Sequence, residues 1–132
     1  MSSLFFLFIA FDYRISKKSL ISYNYKMKTT NYCIITTTID DEKIAKQIST
    51  SLLKDHLVAC VQSHTIQSQY HWNGTLETSQ EILLQMKTKA SLFEEIKVQI
   101  EALHSYEVPE IIMTPILDAN ESYLEWIDKE TR

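Results

Sequence analysis

A single glycine, Gly74, and two prolines, Pro109 and Pro115, are the only strong chain-breaking residues in this sequence. So small a supply excludes collagen-like, linker-rich and low-complexity architectures, which depend on those residues. It also excludes the glycine-rich loops that cradle nucleotide phosphates, and a Gly-x-Ser-x-Gly nucleophile elbow. Cysteine is almost as scarce. Cys33 and Cys60 are 27 positions apart and match no metal-ligand spacing. Two such residues in one domain read as buried, reduced thiols, which points to a reducing compartment and to a cytoplasmic protein. No apolar run approaches the roughly 20 residues of a membrane-spanning helix, so no membrane partner is expected. Arginine is the last scarcity. From residue 27 onward only Arg132 occurs, where a phosphate-directed hydrolase would need an exposed arginine. No catalytic constellation appears, and the expectation is that the protein is not an enzyme.

The charge is unevenly spread. Residues 1–26 carry a net +3 and residues 27–132 a net −7. The acidic part repels a phosphate backbone, which excludes nucleic acid as a partner and favours cations or basic surfaces. Within the basic part, Leu4–Phe11 is apolar but short, and no positive charge precedes it. Residues 1–26 are read as an extension outside the fold, translated upstream of a start at Met27. A targeting segment and an ordered extension are the alternatives. Residues 27–132 are read as one domain.

What the sequence does contain is a long hairpin. Asn73-Gly74 is the strongest two-residue turn signal, because a type I′ turn needs positive φ at both central positions. Before it, Ile66, Ser68, Tyr70 and Trp72 alternate on one face, with Gln67, Gln69, His71 and Asn73 on the other. After it, Thr75–Thr88 is equally extended. Each arm reaches about 14 residues against a usual strand of roughly 5–6. Upstream, Tyr32–Ile39 reads as a central strand. Asp40 or Asp41 then caps a helix that runs to about Asp55, with Ile44, Ile48 and Leu52 on its apolar stripe. Downstream, Ser91 with Glu94 forms a capping box for a helix ending near His104. Glu110–Leu117 is a fourth strand, marked by Pro115 as an edge, and Asn120 or Ser122 opens a last short helix. The order β-α-β-β-α-β plus a helix predicts an α+β fold, the ferredoxin-like sandwich with both main helices on one sheet face. The other face then lies open. Tyr70 and Trp72 near the hairpin tip, and Tyr123 and Trp126 in the last helix, have no place in so small a core. They are the predicted interface of a homo-oligomer closed by cyclic symmetry. The alternative is a monomer with the last helix folded over the sheet.

Five segments carry a family resemblance: Leu57-Val58-Ala59-Cys60-Val61, Tyr70-His71-Trp72-Asn73-Gly74, Met86-Lys87-Thr88, His104-Ser105-Tyr106-Glu107-Val108-Pro109-Glu110-Ile111-Ile112 and Tyr123-Leu124-Glu125-Trp126-Ile127. In this order and spacing they resemble the CutA divalent-cation-tolerance family, over about residues 31–129. The resemblance implies ferredoxin-like subunits, similar in shape to PII signalling proteins, in a trimer held by the long hairpins. It also implies a role in tolerance to divalent metals, with copper bound in some members. Thr37 stands where copper-binding members have a cysteine, and Leu103-His104 where they have two histidines. Gln62 replaces an asparagine, and His71 a second hairpin tryptophan.

The candidate metal ligands are therefore His104 and Cys60, for Cu2+ or another divalent cation. Their ordinary readings are a helix C-terminal histidine and a packed thiol. Lys87, Tyr106, Glu107, Glu110 and Glu81 are candidates for a ligand cleft. Lys87 with Glu81 or Glu110 reads first as a structural ion pair across a subunit contact, ahead of an anion-binding or catalytic site. His64 and His71 could take metal adventitiously on the hairpin surface. Three functions stay open: a trimeric metal-responsive protein, a PII-like sensor holding a small ligand between subunits, and a structural trimer that scaffolds other proteins.

Overall fold

The structure, a computed structural model, describes residues 30–132. The extension expected at residues 1–26 lies outside the described residues. Eight backbone segments follow one another: β1 (Tyr32–Ile39), α1 (Glu42–Lys54), β2 (Cys60–Trp72), β3 (Thr75–Lys89), a 3-10 turn (Ala90–Leu92), α2 (Phe93–Leu103), β4 (Ile112–Pro115) and α3 (Glu121–Glu130). The strands form one antiparallel sheet in the order β2-β3-β1-β4. This is the ferredoxin-like arrangement that the order of elements predicts.

Alternation decides what each face carries. Cys33, Ile35, Thr37 and Ile39 of β1 are buried, and the residues between them are half-buried. The buried row pairs with Thr88, Met86, Leu84 and Ile82 of β3. α1 and α2 cover this face with Ala45, Ile48, Leu52, Ile96 and Ile100, and Leu57 and Val58 close the core between α1 and β2. α1 starts where Asp41 accepts hydrogen bonds from the backbone N–H of Lys43 (2.8 Å) and Ile44 (3.1 Å). That satisfies two of the four unpaired donors of a helix start.

The turn is as expected. Asn73 has φ 49° and Gly74 φ 76°, both left-handed, so the twist of a type I′ turn matches the strands it joins. The hairpin outruns its sheet. β1 pairs with Ile82–Lys89 of β3, and the stretch Thr75–Glu81 pairs only with Ile66–Trp72. A two-stranded ribbon therefore projects beyond the third strand.

Three expectations are corrected. Ser91 does not cap α2: it lies inside the 3-10 turn, α2 begins at Phe93, and no side chain caps it. The tighter turn supplies a backbone bond from Phe93 N–H to the Ala90 carbonyl instead. The fourth strand is four residues, not eight, because Ile111 turns into the core at its start; past Pro115 one backbone bond remains, from Ile116 N–H to the Tyr32 carbonyl at 3.0 Å. Finally, the face away from α1 and α2 is not wholly open. α3 is tied to one end of it: Tyr32 of β1 donates to Asp128 Oδ2 at 2.6 Å, Tyr123 OH approaches Cys60 Sγ of β2 at 3.9 Å, and Lys89 of β3 donates to the Thr131 carbonyl at 3.5 Å. Among the described residues the ribbon end of that face has no such cover.

Candidate functional site

The uncovered end holds a cleft of about 590 Å³. Its floor comes from the sheet, and the segment after α2 forms one side. Pairing places Thr38 beside Leu83, and Ile66 beside Glu81, so these four share the face away from α1 and α2. Tyr70 and Trp72 extend the wall along the ribbon, and Tyr106, Glu107, Val108 and Glu110 close the other side.

One chain of contacts fixes that side. Tyr106 donates its phenol to Glu81 Oε2 at 2.7 Å. Its ring lies 4.8 Å from the His104 ring. The Tyr106 backbone N–H points at His104 Nδ1, 3.1 Å away. An N–H can only donate, so Nδ1 accepts, Nε2 carries the hydrogen, and Nε2–H donates to the Thr38 carbonyl at 2.8 Å. His104 thus joins the end of α2 to β1, and both ring nitrogens are engaged. Burial, and then the bond to Glu81, push the Tyr106 phenol well above its usual value of 10.0. Glu81 is only 6 % exposed.

The candidates from the sequence divide into two groups. Glu81, Tyr106, Glu107 and Glu110 come together in the cleft. Lys87 does not: it is six residues along β3 from Glu81, about 20 Å at the usual strand rise, and it donates to Gln62 Oε1. Among the described residues no basic side chain lines the cleft. Nor are the two metal candidates brought together. Cys60 stands opposite Lys87, and Thr38, the His104 partner, stands opposite Leu83. Those β3 positions are four apart, about 13 Å. Cys60 is half-buried against Tyr123, whose phenol is raised by burial and by that thiol. Cys33 is fully buried, and burial pushes its thiol up to about 11, so it is an inert core group. Among the described residues no three His, Cys, Asp or Glu side chains converge in a way that could hold a metal ion. His64 and His71 are both exposed on the hairpin.

Of the interface candidates, Tyr70 is 41 %, Trp72 43 % and Trp126 37 % exposed in the single chain. Tyr123 is half-buried and lies against Trp126 at 5.5 Å. Thr38, Leu83 and Val108 were not foreseen as cleft residues. The alternation around Ile66 gave its face, but the pairing of β1 with β3 has no signal in a single sequence.

With this geometry in place, comparison with known proteins is informative. The family model for the CutA1 divalent ion tolerance protein matches residues 33–130. The chain belongs to the CutA1 family. The divalent-cation tolerance protein CutA of Pyrococcus horikoshii is 38 % identical over 99 residues, covering 75 % of this chain and 97 % of its own length. The chloroplastic protein CutA of Arabidopsis thaliana is 35 % identical over 106 residues, 80 % of this chain and 58 % of that protein. The crystal structure of CutA1 from the psychrotrophic bacterium Shewanella sp. SIB1 superposes with a TM-score of 0.75 at 34 % identity, over 79 % of this chain and 98 % of that one. CutA1 membership agrees with the ferredoxin-like fold and with the tolerance role that the family name states.

Proposed function

We propose that this CutA1 protein serves in tolerance to divalent cations as a homotrimer, holding those cations weakly rather than catalysing a reaction. One observation carries the reading: among the described residues the cleft presents Glu81, Glu107 and Glu110 and no basic side chain. Walls of one sign concentrate ions of the other, and carboxylate oxygens suit hard divalent cations, with Cu2+ also accepted where nitrogen or sulfur is near. Because no three-donor cluster forms among the described residues of one chain, binding is weak unless a neighbouring subunit adds a ligand. The trimer is favoured by the projecting ribbon and by the exposed Tyr70, Trp72 and Trp126, an apolar surface that one chain leaves uncovered. The free thiols Cys33 and Cys60 favour a reducing compartment, the cytoplasm.

The test is calorimetric titration of Cu2+ and Zn2+ into purified protein, with its mass followed by sedimentation. The expected result is a trimer at micromolar concentration, weak binding of both ions, and loss of affinity in Glu81→Gln. Trp72→Ala should dissociate at a higher concentration than the parent. A monomeric parent defeats the assembly, and absence of any stoichiometric metal defeats the cation reading.

A second reading has its own support. A cavity of about 590 Å³ with Ile66, Leu83, Val108, Tyr70 and Trp72 in its walls has the size and lining of a small-molecule site. A sensor of a small ligand would use the cleft in that way.

A further inference from the structure

We propose that His56 is the clasp that sets the pose of α3, and with it the Tyr123–Trp126 pair at the contact between copies. This rests on the assembly reading above and adds the residue that controls it.

The turn after α1 holds the anomaly. Leu57 N–H donates to the Leu52 carbonyl at 3.0 Å, and His56 N–H to the Leu53 carbonyl at 3.1 Å. This pair of bonds ends a helix on a left-handed residue, a place that glycine fills most often. Here the residue is His56, at φ 53°. A side chain at such a φ costs stability that glycine would not. Strain of this kind persists only where surrounding contacts fix it, and it clusters at positions with a role.

What His56 gains is a hold on α3. Its Nδ1 lies 3.1 Å from the Glu130 carbonyl. A carbonyl only accepts, so Nδ1 carries the hydrogen and donates. The His56 carbonyl in turn accepts from Arg132 N–H at 3.0 Å. One residue thus supplies both a donor and an acceptor to the chain leaving α3. Lys89 Nζ holds the Thr131 carbonyl between them at 3.5 Å, and the Arg132 guanidinium pairs with Glu95 of α2.

Elsewhere α3 is lightly held. Among the described residues no side chain caps its start, and Ile127 is the one buried residue within it. Trp126 lies four residues before Glu130, about one helical turn from the clasp, so the clasp fixes where its ring points. Tyr123 reaches Cys60 at the start of β2, and Cys60 shares its face with Tyr70 and Trp72 at the far end of that strand. A second copy laid along this face meets aromatic rings at both ends, which makes another copy the occupant.

Hydrogen–deuterium exchange and sedimentation of the full-length protein test this with two variants. Glycine is the preferred residue at this turn, so His56→Gly folds and loses only the ring. Asparagine tolerates the left-handed region, and its Nδ2 takes the place of the histidine Nδ1, so His56→Asn keeps the donor. In His56→Gly the α3 amides should exchange about threefold to tenfold faster, the loss of one net hydrogen bond. The amides of β1 and α1 should exchange no faster than in the parent. The same variant should dissociate at a higher concentration than the parent, and His56→Asn should match the parent in both readouts. Unchanged α3 exchange in His56→Gly, or equal acceleration in His56→Asn, overturns the clasp. Faster α3 exchange with an unchanged dissociation concentration overturns its role in assembly. A parent that sediments as a monomer defeats the assembly reading and the positioning role with it, while α3 exchange still decides the clasp.

Discussion

Replacing Thr37 by valine should stabilise this protein. Thr37 is 0 % exposed on the core face of β1, between Ile35 and Ile39 and opposite Leu84 of β3. Its Oγ1 is buried and has no hydrogen-bond partner among the described residues. Thr88, buried on the same face, shows what a satisfied hydroxyl looks like there, donating to the Leu57 carbonyl at 2.6 Å. A hydroxyl taken out of water and left unpaired costs about 1–3 kcal/mol. Valine keeps the branched outline, and its extra methyl contributes a transfer gain of about 0.8 kcal/mol. The expected gain is therefore about 1–3 kcal/mol, and each kcal/mol is worth about 4–8 °C of Tm in a domain near 100 residues. Urea unfolding at one fixed protein concentration is the assay, since association would otherwise move the midpoint. The midpoint should rise with an unchanged slope. Thr37→Ser keeps the orphaned hydroxyl and opens a methyl-sized gap, so it should lose about 1 kcal/mol. A valine variant less stable than the parent would refute the reasoning, because it would mean that the hydroxyl is in fact satisfied.

Two further outcomes are expected. Gly74 sits at φ +76°, and a Cβ built there meets nothing within 4 Å, so Gly74→Ala should cost only the backbone strain, about 1–2 kcal/mol in a thermal melt; a larger loss would point to a contact that the single chain does not contain. Tyr106 holds its proton in the folded state above 10.0, where the unfolded chain gives it up, so folding is favoured by that group below pH 10 and progressively less as pH rises past it. Tyr106→Phe should be the less stable protein near neutral pH, where the bond to Glu81 is lost, and the gap should narrow in urea midpoints taken above pH 10. A gap that stays constant with pH would contradict the link.

Much of this molecule was readable from its residues, for identifiable reasons. The alternation of Ile66, Ser68, Tyr70 and Trp72, and a lone glycine after Asn73, fixed the hairpin and its turn because both signals are local. A cap at Asp40 or Asp41 was recognisable for the same reason, and the structure selects Asp41. Ser91 misled, because a capping box describes a helix that starts abruptly, and here a 3-10 turn leads into it. The cleft was half legible. The segment Tyr106–Glu110 marked one side, but Lys87 was placed there although it is six β3 residues from Glu81, a distance that depends on pairing between strands remote in sequence. The double bonding of His104 was beyond reach too. It depends on the Thr38 carbonyl, 66 positions away, meeting the ring at hydrogen-bond range.

The ribbon beyond β1 has a thermodynamic consequence. Two strands without a third are marginal in water, and among the described residues Ile66–Trp72 and Thr75–Glu81 have none, so in the proposed assembly they draw much of their order from the neighbouring copy. The α/β sandwich keeps its own core and does not share that dependence. With the proposed self-association the molecule has two stability scales, one intrinsic and one that varies with its own concentration. Tyr70, Trp72 and Glu81 belong to the second. Whatever frays the ribbon also dismantles a wall of the cleft, so if the ribbon pairs between copies and the cleft binds a ligand, as proposed, the two events must strengthen or weaken each other by equal free energies.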